Sequence, residues 1–214
     1  MYKLGYIDDE KQQFDNFKKK ISRYDEELEL CWIQGSNHIQ QIIDEILKEQ
    51  VDVLLIDYKM AKTFGFNGSK LVSQMNDYIS DLPCFILTQV DKNEINDGLV
   101  ETRDILPKTI FDTEGQDPNR IEELKRQLSI LKESAKVFRT RMEDKEKEYK
   151  VLLIEKENGK LKDESVLCKL YQVLSSYGYV EKLPQGMLGS DVQNKLMDLI
   201  QMGQKIIQQH EGKK

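Results

Sequence analysis

Val51-Asp52-Val53-Leu54-Leu55-Ile56-Asp57 is the stretch that decides the fold. It is short, almost wholly apolar, rich in branched side chains and without a helical period, and it stops abruptly at a carboxylate. A strand covered on both faces by helices has this composition. In an open parallel sheet, chemistry gathers just beyond the carboxyl ends of the strands, which places Asp57 at the functional edge. Other segments repeat the pattern. Lys3-Leu4-Gly5-Tyr6-Ile7 runs into Asp8-Asp9, Pro83-Cys84-Phe85-Ile86-Leu87 into Thr88, and the weaker Ile105-Leu106-Pro107 into Lys108.

Helical periods fill the gaps between these strands. Phe14, Phe17 and Ile21 recur at three and four residues over 10–21, and the Lys18-Lys19-Lys20 run beside them reads as a solvated face. A strand follows over Leu28 to Ile33. Ser36 is placed to cap a helix whose apolar stripe is Ile39, Ile42, Ile43, Ile46 and Leu47. Leu71, Val72, Met75 and Tyr78 predict the buried face of a third helix, and a short helix is expected over 94–101. Strict alternation of strand and helix predicts right-handed crossovers and a parallel sheet.

Asp8, Asp9 and Asp57 together make a hard, oxygen-only site suited to Mg²⁺, a cation that keeps several waters and adds substrate phosphate oxygens. Thr88 would supply a hydroxyl donor, and Lys108 a positive charge, to a phosphoryl group on Asp57. In strand order, in the spacing of Asp8-Asp9, Asp57, Thr88 and Lys108, and in Met60 three residues after the acid, residues 1–111 resemble the receiver domain of two-component response regulators. The resemblance implies a flavodoxin-like, doubly wound five-stranded parallel sheet in the order 2-1-3-4-5. It implies Asp57 as phosphoacceptor, Asp8, Asp9 and Asp57 as Mg²⁺ ligands, and Thr88 and Lys108 as catalytic partners. The protein would catalyse only its own phosphorylation and dephosphorylation, with a histidine kinase or phosphotransfer protein as donor.

Several positions depart from that family. The loop Tyr58 to Asn67 is a few residues longer than usual and has Ala61 where a proline commonly follows the methionine, so a looser loop is expected. Gln89 stands where receivers place a very small residue, and Lys59 can lean over the acid; both are expected to modulate access to Asp57. The proline at 107 precedes the lysine instead of following it, and Ile105 occupies the place of a mobile aromatic switch. Gly65 and Gly68 read as turn residues, since no P-loop lysine follows them.

Residues 112–119 form a polar Gly/Pro stretch expected to be a linker. A long helix is predicted over 120–157, where Ile121, Leu124, Leu128, Leu131, Ala135, Phe138, Met142 and Tyr149 keep a three-then-four spacing broken only at Lys145. Charged residues of both signs flank this seam. The pattern predicts a coiled-coil-like self-association surface and a homo-oligomer, with Ile121, Leu124, Leu128, Leu131, Phe138 and Met142 in contact between chains. Packing of the stripe on the chain's own C-terminal helices is the alternative. Residues 160–214 are expected to be helical, with Asp163 capping a helix that buries Val166 to Tyr177, and Ser190 starting a last one.

Composition limits the function. A third of the 214 residues are charged and the net charge is −6. Residues 112–214 carry 19 Lys+Arg against 18 Asp+Glu, leaving 13 against 20 for residues 1–111. The acidic front suits a divalent-cation site; the neutral back half offers no basic stripe for nucleic acid. Cys31, Cys84 and Cys168 lie far apart in apolar runs and read as core residues, while His38 and His210 have no companion ligand nearby. No apolar run approaches the roughly 20 residues of a membrane span, and the chain opens directly into a strand, so a cytoplasmic protein is expected. The leading expectation is a phosphoryl-accepting signalling protein with output through helical self-association or a protein partner. Alternatives are a phosphate sink without dedicated output, a transcriptional regulator with a winged helix-turn-helix within 161–188, and a pseudo-receiver adaptor.

Overall fold

In a computed structural model, residues 1–79, 81–89, 95, 98–111 and 117–181 are described. Five strands, β1 (Tyr2–Ile7), β2 (Leu28–Trp32), β3 (Val53–Asp57), β4 (Cys84–Thr88) and β5 (Ile105–Pro107), form one sheet in the order β2-β1-β3-β4-β5. Every pairing is parallel. Helices α1 (Lys11–Tyr24), α2 (Ile39–Glu49), α3 (Ala61–Phe64) and α4 (Gly68–Tyr78) connect the first four strands. The doubly wound fold read from the sequence is the fold observed. All five residues of β3 are buried, as a central strand covered on both faces requires.

The helical stripes bury as their spacing indicates. Phe14, Phe17 and Ile21 on α1, Ile42, Ile43 and Ile46 on α2, and Leu71, Val72 and Met75 on α4 all lie in the interior. Tyr78 does not: it is exposed, and its hydroxyl donates to Gln40. Ser36 is not the cap of α2, which starts after His38; its hydroxyl accepts the His38 N–H at 3.0 Å and closes the turn ahead of the helix. The short helix expected over 94–101 falls largely outside the described residues.

The long helix α5 runs from Pro118 to Glu157, and its role differs from the one expected. The sheet forms a compact unit that extends to Asp144, with a second unit from Lys145 onward. The division expected at residues 112–119 is therefore displaced, although residues 112–116 themselves lie outside the described part. Leu124, Leu128, Leu131 and Ala135 belong to the same buried cluster as Phe14, Phe17, Leu28, Leu106 and Phe111. Phe138 and Met142 are also buried within the chain, and Ile121 is half-buried. The seam from Leu124 to Met142 is thus covered within the chain. The physical reason is that a strand such as β5 must be followed by a helix that covers the sheet beside α1, and α5 is that helix.

Ion pairs fasten α5 to this unit. Lys132 bridges Asp25 at 2.9 Å and Glu27 at 2.7 Å. Arg139 makes a two-pronged contact with the buried Asp52, Nε to Oδ1 and Nη2 to Oδ2 both at 2.7 Å, donates to the Met1 carbonyl, and lies 4.5 Å over the Tyr2 ring. Asp52 Oδ2 also accepts the Lys3 N–H. Removing one partner of a buried pair leaves a carboxylate without its counter-charge. Because the Arg139 end is partly exposed and screened, Arg139→Ala should cost about 1–3 kcal/mol. Arg139→Lys should recover little of it, since an ammonium cannot make the planar double contact. Urea unfolding at neutral pH is the check, and midpoints equal to wild type would show that the clamp adds nothing.

In the second unit, α5 continues to Glu157 and ends at Gly159, whose φ of 66° is the left-handed conformation that glycine adopts without strain. Asp163 Oδ1 accepts the Ser165 N–H at the start of α6 (Ser165–Ser176), close to the capping role expected for it. Leu167, Leu170 and Leu174 face inward, and Val166 is exposed. The helix expected from Ser190, and part of the 161–188 segment, lie outside the described residues. Among the described residues, no helix is long and apolar enough to cross a membrane.

Candidate functional site

Strand register builds the site. Ile7 pairs with Ile56, Asp57 with Leu87, and Thr88 with Pro107. Asp8 therefore leaves the sheet level with Asp57, while Lys108 follows Pro107 in a 3₁₀ turn (Lys108–Phe111). The first three acids come together: one oxygen from each of Asp8, Asp9 and Asp57 lies within 4.8 Å of the others. Lys108 Nζ stands between two of them, 2.7 Å from Asp8 Oδ2 and 2.8 Å from Asp57 Oδ1. Asp8, Asp57, Thr88 and Lys108 are buried, whereas Asp9 is exposed.

An open cleft of about 390 Å³ lies above these groups, lined by Asp9, Asp57, Thr88 and Lys108 together with Glu10, Gln13, Lys59, Lys62, Asn67 and Gln89. Lys59 and Gln89, the two residues expected to influence access, are exposed and belong to this wall. The long β3–α4 loop is less open than its length indicated. It folds into the single turn α3, whose Phe64 ring lies where a side chain on Gly35 would otherwise stand, 2.1 Å from the position of a Cβ there. Gly68 at the start of α4 abuts the Asp57 backbone; a Cβ would come 2.3 Å from the Asp57 carbonyl oxygen. No side chain fits there without displacing the Asp57 backbone, and the site therefore needs glycine at 68.

Lys108 does not affect the two buried acids equally. Burial pushes Asp8 up, but hydrogen bonds from Lys108, Tyr6 and the Glu10 N–H outweigh it and hold the carboxyl below its usual range. Burial also raises Asp57, and there it prevails: Lys108 offsets only part of it, and the charges of Asp8 and Asp9 add to the rise. For Lys108, burial works against the ammonium, yet the bonds to Asp57 and Asp8 leave its pKa raised. One ammonium thus faces three carboxylates beside the cleft.

Two hydroxyls of this site were not singled out in the sequence. Tyr6 donates to Asp8 Oδ2, and Thr63 of α3 donates to Asp9 Oδ2 at 2.7 Å. A tyrosine two residues before an acid in an apolar strand points to the same face as that acid, which is a usable signal. Thr63 carries none, because its position depends on a turn the sequence did not announce.

No family model matches the chain, and no curated protein matches it. The cleft's own chemistry is therefore what bears on function. Three carboxylate oxygens are the hard donors that Mg²⁺ takes, and like charges held this close are stabilised by a cation, so the residues present fit the metal.

Proposed function

We propose that this protein is a phosphoryl-accepting receiver of a two-component phosphorelay, with Asp57 as the acceptor. The observation that carries this reading is the Lys108 ammonium held between Asp8 and Asp57 beneath an open cleft. An Asp57 carboxylate oxygen attacks phosphorus of a phosphohistidine on a kinase or phosphotransfer protein. The new O–P bond makes an acyl phosphate, the P–N bond breaks, and its electron pair leaves with the imidazole. Lys108 supplies positive charge to the phosphoryl oxygens, and Thr88, on the cleft wall, supplies a hydroxyl donor. Asp8, Asp9 and Asp57 would hold Mg²⁺, which supplies further positive charge to the phosphoryl oxygens when bound. Lys59 and Gln89 stand where they can restrict the approach of water to the acyl phosphate. Output is assigned to a protein partner or a second copy that meets surface outside the buried α5 seam.

Incubation with a small phosphodonor and Mg²⁺ should add the mass of one phosphoryl group to the intact protein; no gain under any donor would remove the reading. Mg²⁺ binding is tested apart from phosphorylation. Millimolar Mg²⁺ should raise the melting temperature of the wild type by a few degrees, as a ligand that binds only the folded state does. Asp9→Asn and Asp57→Asn should each lose most of that rise. An unchanged wild-type melt would mean that the acid cluster does not take the metal.

A further inference from the structure

Asp8 is wholly buried, and its Oδ2 accepts two donors at once, Lys108 Nζ at 2.7 Å and the hydroxyl of Tyr6. Its Oδ1 accepts the Glu10 N–H at 2.9 Å. Lys108 is also shared with Asp57, at 2.8 Å. A phosphoryl group on Asp57 would bring strong anionic acceptors into competition for that ammonium. Turning toward them means loosening the bond to Asp8, and a buried carboxylate oxygen left without a donor is costly. Tyr6 removes that obstacle, because its bond to the same oxygen persists when the lysine turns. The phenol cannot swing away. Its ring is fully buried between Phe14, Phe17 and Trp32, with centroids 6.2, 5.5 and 6.0 Å distant.

We propose that Tyr6 is a positioning residue of this site, its hydroxyl holding the Asp8 carboxylate so that the Lys108 ammonium can turn from Asp8 to a phosphoryl group on Asp57. The inference rests on the phosphoryl-acceptor reading above. It differs from a plain packing role, in which a buried tyrosine merely finds an acceptor for its hydroxyl.

Tyr6→Phe deletes one oxygen and keeps the ring. In the full chain with saturating Mg²⁺, the maximal rate of loading from a small phosphodonor should fall about tenfold, while the donor concentration at half-maximal rate changes by less than about twofold. Ile46→Val opens a small gap in the core on α2, away from the rings that hold Tyr6; it should lower the melting temperature and leave the loading rate, measured well below that temperature, unchanged. Tyr6→Phe that loads as fast as wild type overturns the proposal, and so does Ile46→Val that slows loading equally. A wild type that never loads overturns the phosphoryl reading itself and this inference with it, whereas a loading wild type with an equally fast Tyr6→Phe overturns this inference alone.

Discussion

Asp57→Asn should abolish phosphoryl loading and, in metal-free buffer at neutral pH, should melt above the wild type. The first effect follows from replacing the carboxylate that lies 2.8 Å from Lys108 and lines the cleft, the acceptor proposed above. An amide oxygen does not form the acyl phosphate, and intact-mass analysis should show no gain. The second effect follows from the sign of the pKa shift. Burial and the neighbouring charges of Asp8 and Asp9 raise Asp57, so the folded state holds its proton more tightly than the unfolded chain does. Stability is therefore lost as pH rises from the ordinary carboxylate range through the raised value, and above it the penalty is constant. The neutral amide avoids that penalty, and Lys108 keeps its 2.7 Å bond to Asp8. Asp8 works in the opposite sense: its depressed pKa contributes stability that is present above the ordinary range and lost as pH falls through the folded value. The gain from Asp57→Asn, about a few degrees, should thus narrow on acidification. Loading that persists on the peptide containing residue 57 would end the assignment, and a lower melting temperature at neutral pH would show that the Lys108 contact outweighs burial.

The acids were legible in the sequence because each stands where an apolar run stops. Burial on both faces disfavours a charge within a strand, so the first carboxylate after Ile7 and Ile56 marks the strand's end. Lys108 was harder, since β5 is only three residues long and includes a proline. Tyr6 was hidden by its own ring, which satisfies the apolar pattern and says nothing about the hydroxyl. Thr63 depended on the turn α3, which is held by Phe64 against Gly35, a contact between residues far apart in sequence.

The α5 seam exposes a more general limit. A three-then-four spacing identifies which face of a helix is dry and is silent on what covers it. A second helix from another chain and the open face of a parallel sheet demand the same stripe. What separates them is the count of helices: after β5 the sheet still lacked a cover beside α1, and the next helix in the chain was the one able to supply it. The polar stretch at 112–119 drew the boundary too early for the same reason, because a connection between a strand and its own covering helix is as polar as a linker between domains.

That distinction has a large measurable consequence. Were the seam a contact between chains, Leu128→Asp with Leu131→Asp would separate the subunits and leave the sheet unit folded. Since both leucines are about 1 % exposed and pack with Phe17, Leu28 and Phe111, the double variant should instead unfold residues 1–144. Each substitution removes a buried leucine, at about 2–5 kcal/mol, and adds a carboxylate with no place in the core. Together these approach or exceed the whole stability of a domain of this size, about 5–15 kcal/mol. Ile130→Asp with Val137→Asp is the control on the same helix. These side chains are 42 % and 40 % exposed, so the pair should keep a cooperative melt close to that of wild type. Circular dichroism and sedimentation of both double variants decide the matter. A Leu128/Leu131 variant that stays folded, loads phosphate at Asp57 and merely falls in mass would return the seam to an interface between chains.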